Sequence, residues 1–300
     1  MKISCKDFDL KATLESGQVF GFTKDPAGAY DGVLLGHPVR LRQTNEVLRV
    51  ERISTERTTS QTEQKGHVRN SNVSLLRRSR PFGTWSGSVV RDYFDLDRDL
   101  KGIFSLLRGD PVLQPAFKTF KGLRLIHQDP WEALACFILS SNNNIKRIMG
   151  IYRGLVRHFG YFPSPSDIAR SHERVLRGLG LGYRAPFIFK TAVFLSTNPG
   201  YLGMVREADY ENAKERVLAF PGIGPKVADC VLLYGFHKLE AFPVDVWILR
   251  IMRRLYFRNR KVSEDKVRAF GMKRWGKDAG YVQQYLFHSA RMSVYDILKK

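Results

Sequence analysis

The chain has only three cysteines in 300 residues, Cys5, Cys136 and Cys230, scattered among apolar or helical neighbours. That excludes a disulfide framework and a four-cysteine iron–sulfur cluster, and it fits a reducing compartment. Long apolar runs are missing as well. No stretch approaches the roughly 20 residues of a membrane span, so no membrane partner is expected. The opening Met1-Lys2-Ile3-Ser4-Cys5 has no signal-peptide core. The expected location is therefore the cytoplasm or nucleoid of a prokaryote, or the nucleus of a eukaryote. Acid is also in short supply: 29 Asp+Glu face 49 Lys+Arg, giving a net charge of +20. A soluble chain so basic is expected to meet a polyanion, with nucleic acid the first candidate; a generally solvated basic surface is the alternative.

What is present is core material. At 43% apolar the chain can bury two or three domains or lobes. Residues 1–50 carry β-like segments at 18–22, 30–35, 39–43 and 47–50, with turns at 25–28 and 36–38. They predict a small antiparallel sheet with one face buried against later helices. Residues 51–88 differ: polar, aperiodic and ending in the basic cluster Arg77-Arg78-Ser79-Arg80, they read as a long loop or insertion. From Val89 the pattern turns helical, with helices expected near 89–94, 97–108, 111–120, 130–140, 144–158, 166–169, 172–178, 184–195, 202–219, 225–235, 246–257, 263–273 and 278–290. The fold class is α+β: an N-terminal sheet domain, 1–88, then a two-lobed all-helical region, 89–300.

The chemistry concentrates in 211–257. A helix from Glu211 runs into Pro221-Gly222-Ile223-Gly224, and Pro225 opens a second helix at a first-turn position. This is a helical hairpin, about 211–235. Gly222 and Gly224 allow close backbone approach, and the free N–H groups of the turn favour an anion such as a DNA phosphate. Lys226 sits in the first turn, where the dipole disfavours a cation. It is either a surface lysine or an amine nucleophile. Asp245 stands in the apolar run Ala-Phe-Pro-Val-Asp-Val-Trp-Ile-Leu, so it is an N-cap, a functional carboxylate or both. Cys230 lies four residues after Lys226 and shares its helix face. Ser140-Ser141-Asn142-Asn143-Asn144 separates two helices. Its asparagines either cap those helices or present amides, with Arg147, to base edges.

A hairpin, a lysine after it and an aspartate 19 positions later resemble the helix-hairpin-helix DNA glycosylase superfamily, in its lysine-bearing branch. SSNNNI with its following arginine is similar to the eukaryotic-type 8-oxoguanine DNA glycosylases. Three more matches extend the resemblance, which spans about 14–50 and 89–290. Ser16-Gly17-Gln18-Val19-Phe20 resembles a segment whose glycine carbonyl accepts the N7–H of 8-oxoguanine. Gly182-Tyr183-Arg184-Ala185 resembles one whose tyrosine wedges into the base stack while its arginine contacts the orphaned cytosine. Residues 279–287 resemble the helix closing the base pocket, with Gln283 on the pairing edge and Phe287 on the base face. Each alone has a plainer reading: a turn glycine, a helix-flanking tyrosine or an amphipathic helix. Pro243 joins Gly17, Cys230, Gln283 and Phe287 in the expected pocket, and Asn142, Arg147, Tyr183, Arg184, Gly222 and Gly224 form the expected DNA contacts.

The resemblance implies a monomeric enzyme that flips 8-oxoguanine out of duplex DNA opposite cytosine. It would excise the base by attack of Lys226 at C1′, aided by Asp245, and then nick the strand. No cofactor is needed. The resemblance allows a cation on the hairpin carbonyls of Leu218, Phe220 and Ile223, as a phosphate-docking aid. Trp247 departs from the pattern, standing where eukaryotic members carry a histidine, and leaves the contacts there open. Other readings are a glycosylase for a different damaged base and a non-catalytic DNA grip. A grip needs neither an apolar-flanked aspartate nor a base-sized pocket.

Overall fold

The computed structural model describes residues 1–53 and 86–295. Most of the polar stretch 51–88, including Arg77–Arg80, lies outside the described residues. Five antiparallel strands form one sheet: β1 Lys2–Ser4, β2 Phe22–Lys24, β3 Tyr30–Leu34, β4 His37–Thr44 and β5 Val47–Arg52. Their order is β1-β5-β4-β3-β2. The β3–β4 turn places Leu35 and Gly36 at φ 46° and 81°, the double positive φ of a two-residue hairpin loop. Leu34, Val39, Leu41, Leu48 and Val50 bury one face of the sheet. They pack with Phe8, Leu10 and Leu14, and with Val90, Tyr93 and Phe94 of helix α2, Gly87–Tyr93, and its C-cap. This is the α+β arrangement expected, with one sheet face covered by helices.

Two elements went unforeseen, the edge strand β1 and helix α1, Leu10–Glu15. The helix starts because the Asp9 carboxylate accepts the Ala12 N–H at 2.7 Å. The strand expected at 18–22 begins only at Phe22. Residues 17–21 instead form a loop stitched by Gln18, which is fully buried. Its amide donates to the Thr13 carbonyl, the Ser16 hydroxyl and the Arg124 carbonyl, and its oxygen accepts the Ile126 N–H at 2.7 Å. Side-chain bonds take the place of a ladder there.

The helical region follows as α3 Lys101–Gly109, α4 Gln114–Phe120, α5 Pro130–Ser140, α6 Ile145–Phe159, α7 Pro165–Arg170, α8 Glu173–Leu176, α9 Ala185–Thr197, α10 Tyr201–Glu207, α11 Tyr210–Leu218, α12 Pro225–Gly235, α13 Val246–Tyr256, α14 Glu264–Trp275 and α15 Ala279–Arg291. The single helix expected at 202–219 is two. Ala208 is extended, and Asp209 caps α11 by accepting the Asn212 N–H at 2.9 Å. A large apolar core runs through these helices and also takes Ala12, Phe20 and Val33 from the N-terminal region. Within it α12 packs along α5. A Cβ on Gly235 would lie 3.0 Å from Cβ of Ala133, so glycine permits that approach.

Candidate active site

The hairpin α11–turn–α12 is built as the sequence requires. Gly222 has φ 79°, and a Cβ there would come 2.3 Å from the Phe187 ring, so the turn needs glycine twice over. Gly224 is extended at the N-cap of α12, Pro225 occupies the first turn, and no side chain caps the helix among the described residues. The orphan N–H groups of that first turn are free for an anion. Both glycines are exposed.

Within the first two turns of α12, Lys226 and Cys230 face a cleft of about 680 Å³ between the helices and the 17–20 loop. It falls within the usual size of small-molecule sites. Gly17, Asn142, Pro243, Asp245, Gln283 and Phe287 line it too, so the structure brings together the two expected catalytic residues, all five expected pocket residues and Asn142. The Lys226 ammonium donates to the Ser140 hydroxyl at 3.4 Å and lies 5.8 Å from the centre of the Phe137 ring. Asp245 caps α13 by accepting the Ile248 N–H at 2.8 Å. It is a cap that also faces the cleft. Burial raises its pKa, while the Ile248 N–H, Lys226 and the Trp247 N–H pull it back down. Neither Lys226 nor Asp245 forms an ion pair among the described residues. Burial pushes the Cys230 thiol up to about 11, against the lowering effect of Lys226. A thiol so raised is neutral at physiological pH, so Cys230 is a pocket wall rather than a nucleophile.

The end of the cleft is polar. Gln283 is 3% exposed, and its amide donates to the Pro243 carbonyl at 3.1 Å. Its oxygen is buried and has no partner among the described residues. An orphaned buried acceptor costs about 1–3 kcal/mol unless a ligand supplies a donor. Gly17 has φ 86°, and a Cβ there would collide with Arg291 Nη1 at 2.7 Å and with Ile145 at 2.8 Å. It lines the cleft beside the half-buried Phe287, whose ring would lie 3.3 Å from such a Cβ.

The expected DNA contacts divide. Asn144 caps α6 through the Arg147 N–H at 2.9 Å, and the Asn143 amide donates to the Leu139 carbonyl. Asn142 has φ 48°, is exposed and leaves its side chain unbonded among the described residues, so capping and presentation fall to different asparagines of the same loop. Arg147 is exposed, with its guanidinium free among the described residues. Arg184 is not. It is 2% exposed and donates from Nε to the Ser141 carbonyl at 2.8 Å and from Nη2 to the Asn142 carbonyl at 2.8 Å. Arg184 thus braces the asparagine loop, and its Nη1 makes no hydrogen bond among the described residues. Tyr183 is 50% exposed, lies against the Arg184 guanidinium at 4.3 Å and donates to the Ser141 carbonyl at 3.1 Å. The ring is thus exposed to solvent while its hydroxyl and its face are both held by neighbouring groups.

Sequence reasoning missed Phe137, Ser140, Tyr234 and Arg291 in the cleft lining. Arg291 alone had a signal, standing four residues after Phe287. It also missed Asp229, fully buried on α12 and outside the cleft lining. There Asp229 accepts from Tyr210 at 2.6 Å and Arg268 at 2.6 Å and pairs with Lys214 at 2.9 Å, tying α11 and α14 to α12. On the hairpin, the Phe220 carbonyl already accepts the Ile223 N–H at 3.4 Å.

Comparison with known proteins agrees with this geometry. Residues 1–134 match the 8-oxoguanine DNA glycosylase N-terminal domain, and residues 135–277 match the HhH-GPD superfamily of base excision DNA repair proteins. A probable N-glycosylase/DNA lyase of Methanothermobacter thermautotrophicus is 32% identical, covering 98% of this chain and 96% of its own length. The N-glycosylase/DNA lyase OGG1 of Arabidopsis thaliana is 26% identical over 96% of this chain and 78% of its own. Among solved structures, the Clostridium acetobutylicum 8-oxoguanine glycosylase/lyase bound to duplex DNA with cytosine opposite 8-oxoguanine superposes with a TM-score of 0.80. It is 28% identical and covers 97% of this chain and 98% of that one. With hairpin, lysine, aspartate and base-sized cleft in one place, the chain belongs to the 8-oxoguanine DNA glycosylase/lyase family of the helix-hairpin-helix superfamily.

Proposed function

We propose that this chain excises 8-oxoguanine paired with cytosine, using Lys226 as nucleophile and Asp245 as its electrostatic partner. The chain is a DNA repair glycosylase and lyase; the residue roles and the opposite-base preference are the proposal. A base inside a duplex is out of reach, so the damaged nucleotide swings into the cleft while Tyr183 fills the gap. The Gly17 carbonyl accepts from the base N7–H, Gln283 meets its pairing edge, and Phe287 and Cys230 hold its faces. Arg147 and Asn142 meet the cytosine left behind.

The Lys226 amine then bonds to C1′, and the C1′–N9 electron pair leaves with the base. The new ammonium gives up a proton, and the base takes one. Asp245 stabilises the positive charge developing on the sugar and orients the amine. The nitrogen lone pair next opens the sugar, expelling O4′ and forming an imine. That imine acidifies C2′; loss of a C2′ proton expels the 3′ phosphate and nicks the strand. No step calls on a cofactor. The chain is read as acting as a monomer, in the cytoplasm or nucleoid of a prokaryote or the nucleus of a eukaryote.

The observation that carries this reading is Lys226 and Asp245 sharing a cleft of about 680 Å³, with neither in an ion pair among the described residues. The test is single-turnover excision on duplexes carrying 8-oxoguanine opposite each of the four bases. Fastest release opposite cytosine is expected. Equal rates opposite all four would refute the opposite-base reading, and no release from any would refute the substrate.

A further inference from the structure

Gln283, Phe287 and Arg291 are spaced by four residues on α15, so they form one stripe along the helix. All three line the cleft that holds Lys226. The first two have tasks in the base-excision reading, and the third has none. Yet Arg291 is firmly held. Its Nη1 donates to the Ser16 carbonyl at 3.1 Å, and its guanidinium lies 5.4 Å from the centre of the Phe287 ring. Any side chain at position 17 would strike it, since a Cβ there falls 2.7 Å from Nη1. Gly17, whose φ of 86° favours glycine, leaves room for this cation where it stands.

The arginine's charge is also only partly compensated. Burial depresses its pKa, and the charge of Asp245 only partly offsets that. No carboxylate pairs with it among the described residues, and Nε and Nη2 make no hydrogen bond to them. A half-buried cation without a counter-charge costs free energy in the resting protein. A charge that arises only during the reaction would offset that cost.

Such a charge arises on the base. When C1′–N9 breaks, the electron pair stays on N9 and spreads to the carbonyl oxygens of the purine. We propose that Arg291 contacts the flipped purine through its free donors and stabilises the negative charge of the departing base. It is complementary to Asp245, which faces the positive charge left on the sugar; the two act on opposite ends of the breaking bond. The inference rests on the base-excision reading and adds a base-contacting residue to it. Preorganised donors aimed at developing charge act only on the step where the charge appears. Arg291 therefore serves base release and not the later nick.

The experiment compares Arg291→Gln and Arg291→Lys with the wild-type chain on two duplexes, one carrying 8-oxoguanine opposite cytosine and one carrying a preformed abasic site. Arg291→Gln is expected to slow 8-oxoguanine release by about 10²-fold while cleaving the abasic duplex at close to the wild-type rate. That cleavage also shows that the variant is folded. Arg291→Lys, which keeps the charge, is expected to recover a large part of the loss. Equal losses on both duplexes would make Arg291 a phosphate or packing residue and overturn the proposal, as would no loss on either. Failure of lysine to recover any activity would make shape rather than charge the cause, and would overturn it too. Wild-type inactivity on 8-oxoguanine alongside abasic cleavage would instead strike the substrate assignment.

Discussion

Helix α12 carries charged chemistry on two adjacent faces, and the two treat it in opposite ways. Toward the core, Asp229 has three partners from two other helices, Tyr210 and Lys214 of α11 and Arg268 of α14. Toward the cleft, and among the described residues, Lys226 makes a long bond to Ser140, and Asp245 across from it is held by backbone donors. Burial alone would call for pairing on both sides. The core side complies and gains a fixed hairpin; the cleft side leaves its charges unmatched and so ready for substrate. In the proposed mechanism the same helix is a structural tie on one face and a catalytic mount on the next.

That contrast can be broken from either side. Asp229→Ala should be the most damaging to stability, by about 3–5 kcal/mol, because Arg268 and Lys214 lose their counter-charge. Denaturant unfolding would measure it, and the folded fraction should still excise base. Asp245→Asn should do the reverse. Asparagine keeps the N-cap, so the unfolding midpoint should hardly move, while base release slows by about 10²–10³-fold. A large stability loss in Asp245→Asn would make it a structural residue after all. Smaller again is Arg147→Ala, expected to cost about 1–3 kcal/mol of preference for cytosine, read as the ratio of rates opposite cytosine and adenine. The smallest effect concerns pH. Burial lifts the Asp245 pKa, so the ionised form that catalysis needs is lost at a higher pH than for an ordinary carboxylate near about 3.9. The acid limb of the base-release profile should lie above that value, and Asp245→Asn should abolish it.

How much of this was legible in the sequence depended on how local each cause was. Pro225, the two turn glycines and Asp245 announce helix starts by rules that act within four residues, and α12 and α13 stand where those rules put them. Gln18 misled because its four hydrogen bonds include partners at Arg124 and Ile126, more than a hundred residues away. Without them the segment reads as a strand. Asp229 hid for the same reason, since Arg268 lies 39 residues on. Arg291 looked like an ordinary polar residue at the end of an amphipathic helix; only the packing of α15 against the Ser16–Gly17 loop turns it inward. Arg184 reads as a DNA contact in the sequence, whereas in the structure it is occupied largely by the Ser141 and Asn142 carbonyls. A backbone carbonyl offered by a loop leaves no trace in residue type.

The Lys226 amine carries the whole mechanism, and the most direct measurement of it is covalent trapping. With borohydride present, the wild-type chain mixed with an 8-oxoguanine duplex should become permanently joined to the DNA, because reduction fixes the imine between lysine and sugar. Lys226→Gln keeps the stem and a hydrogen-bonding head without a nucleophile. It should bind the lesion duplex, since the hairpin backbone and cleft walls remain, and give no adduct and no nick. An adduct formed by Lys226→Gln at the wild-type yield would contradict this mechanism and place the nucleophile on another residue.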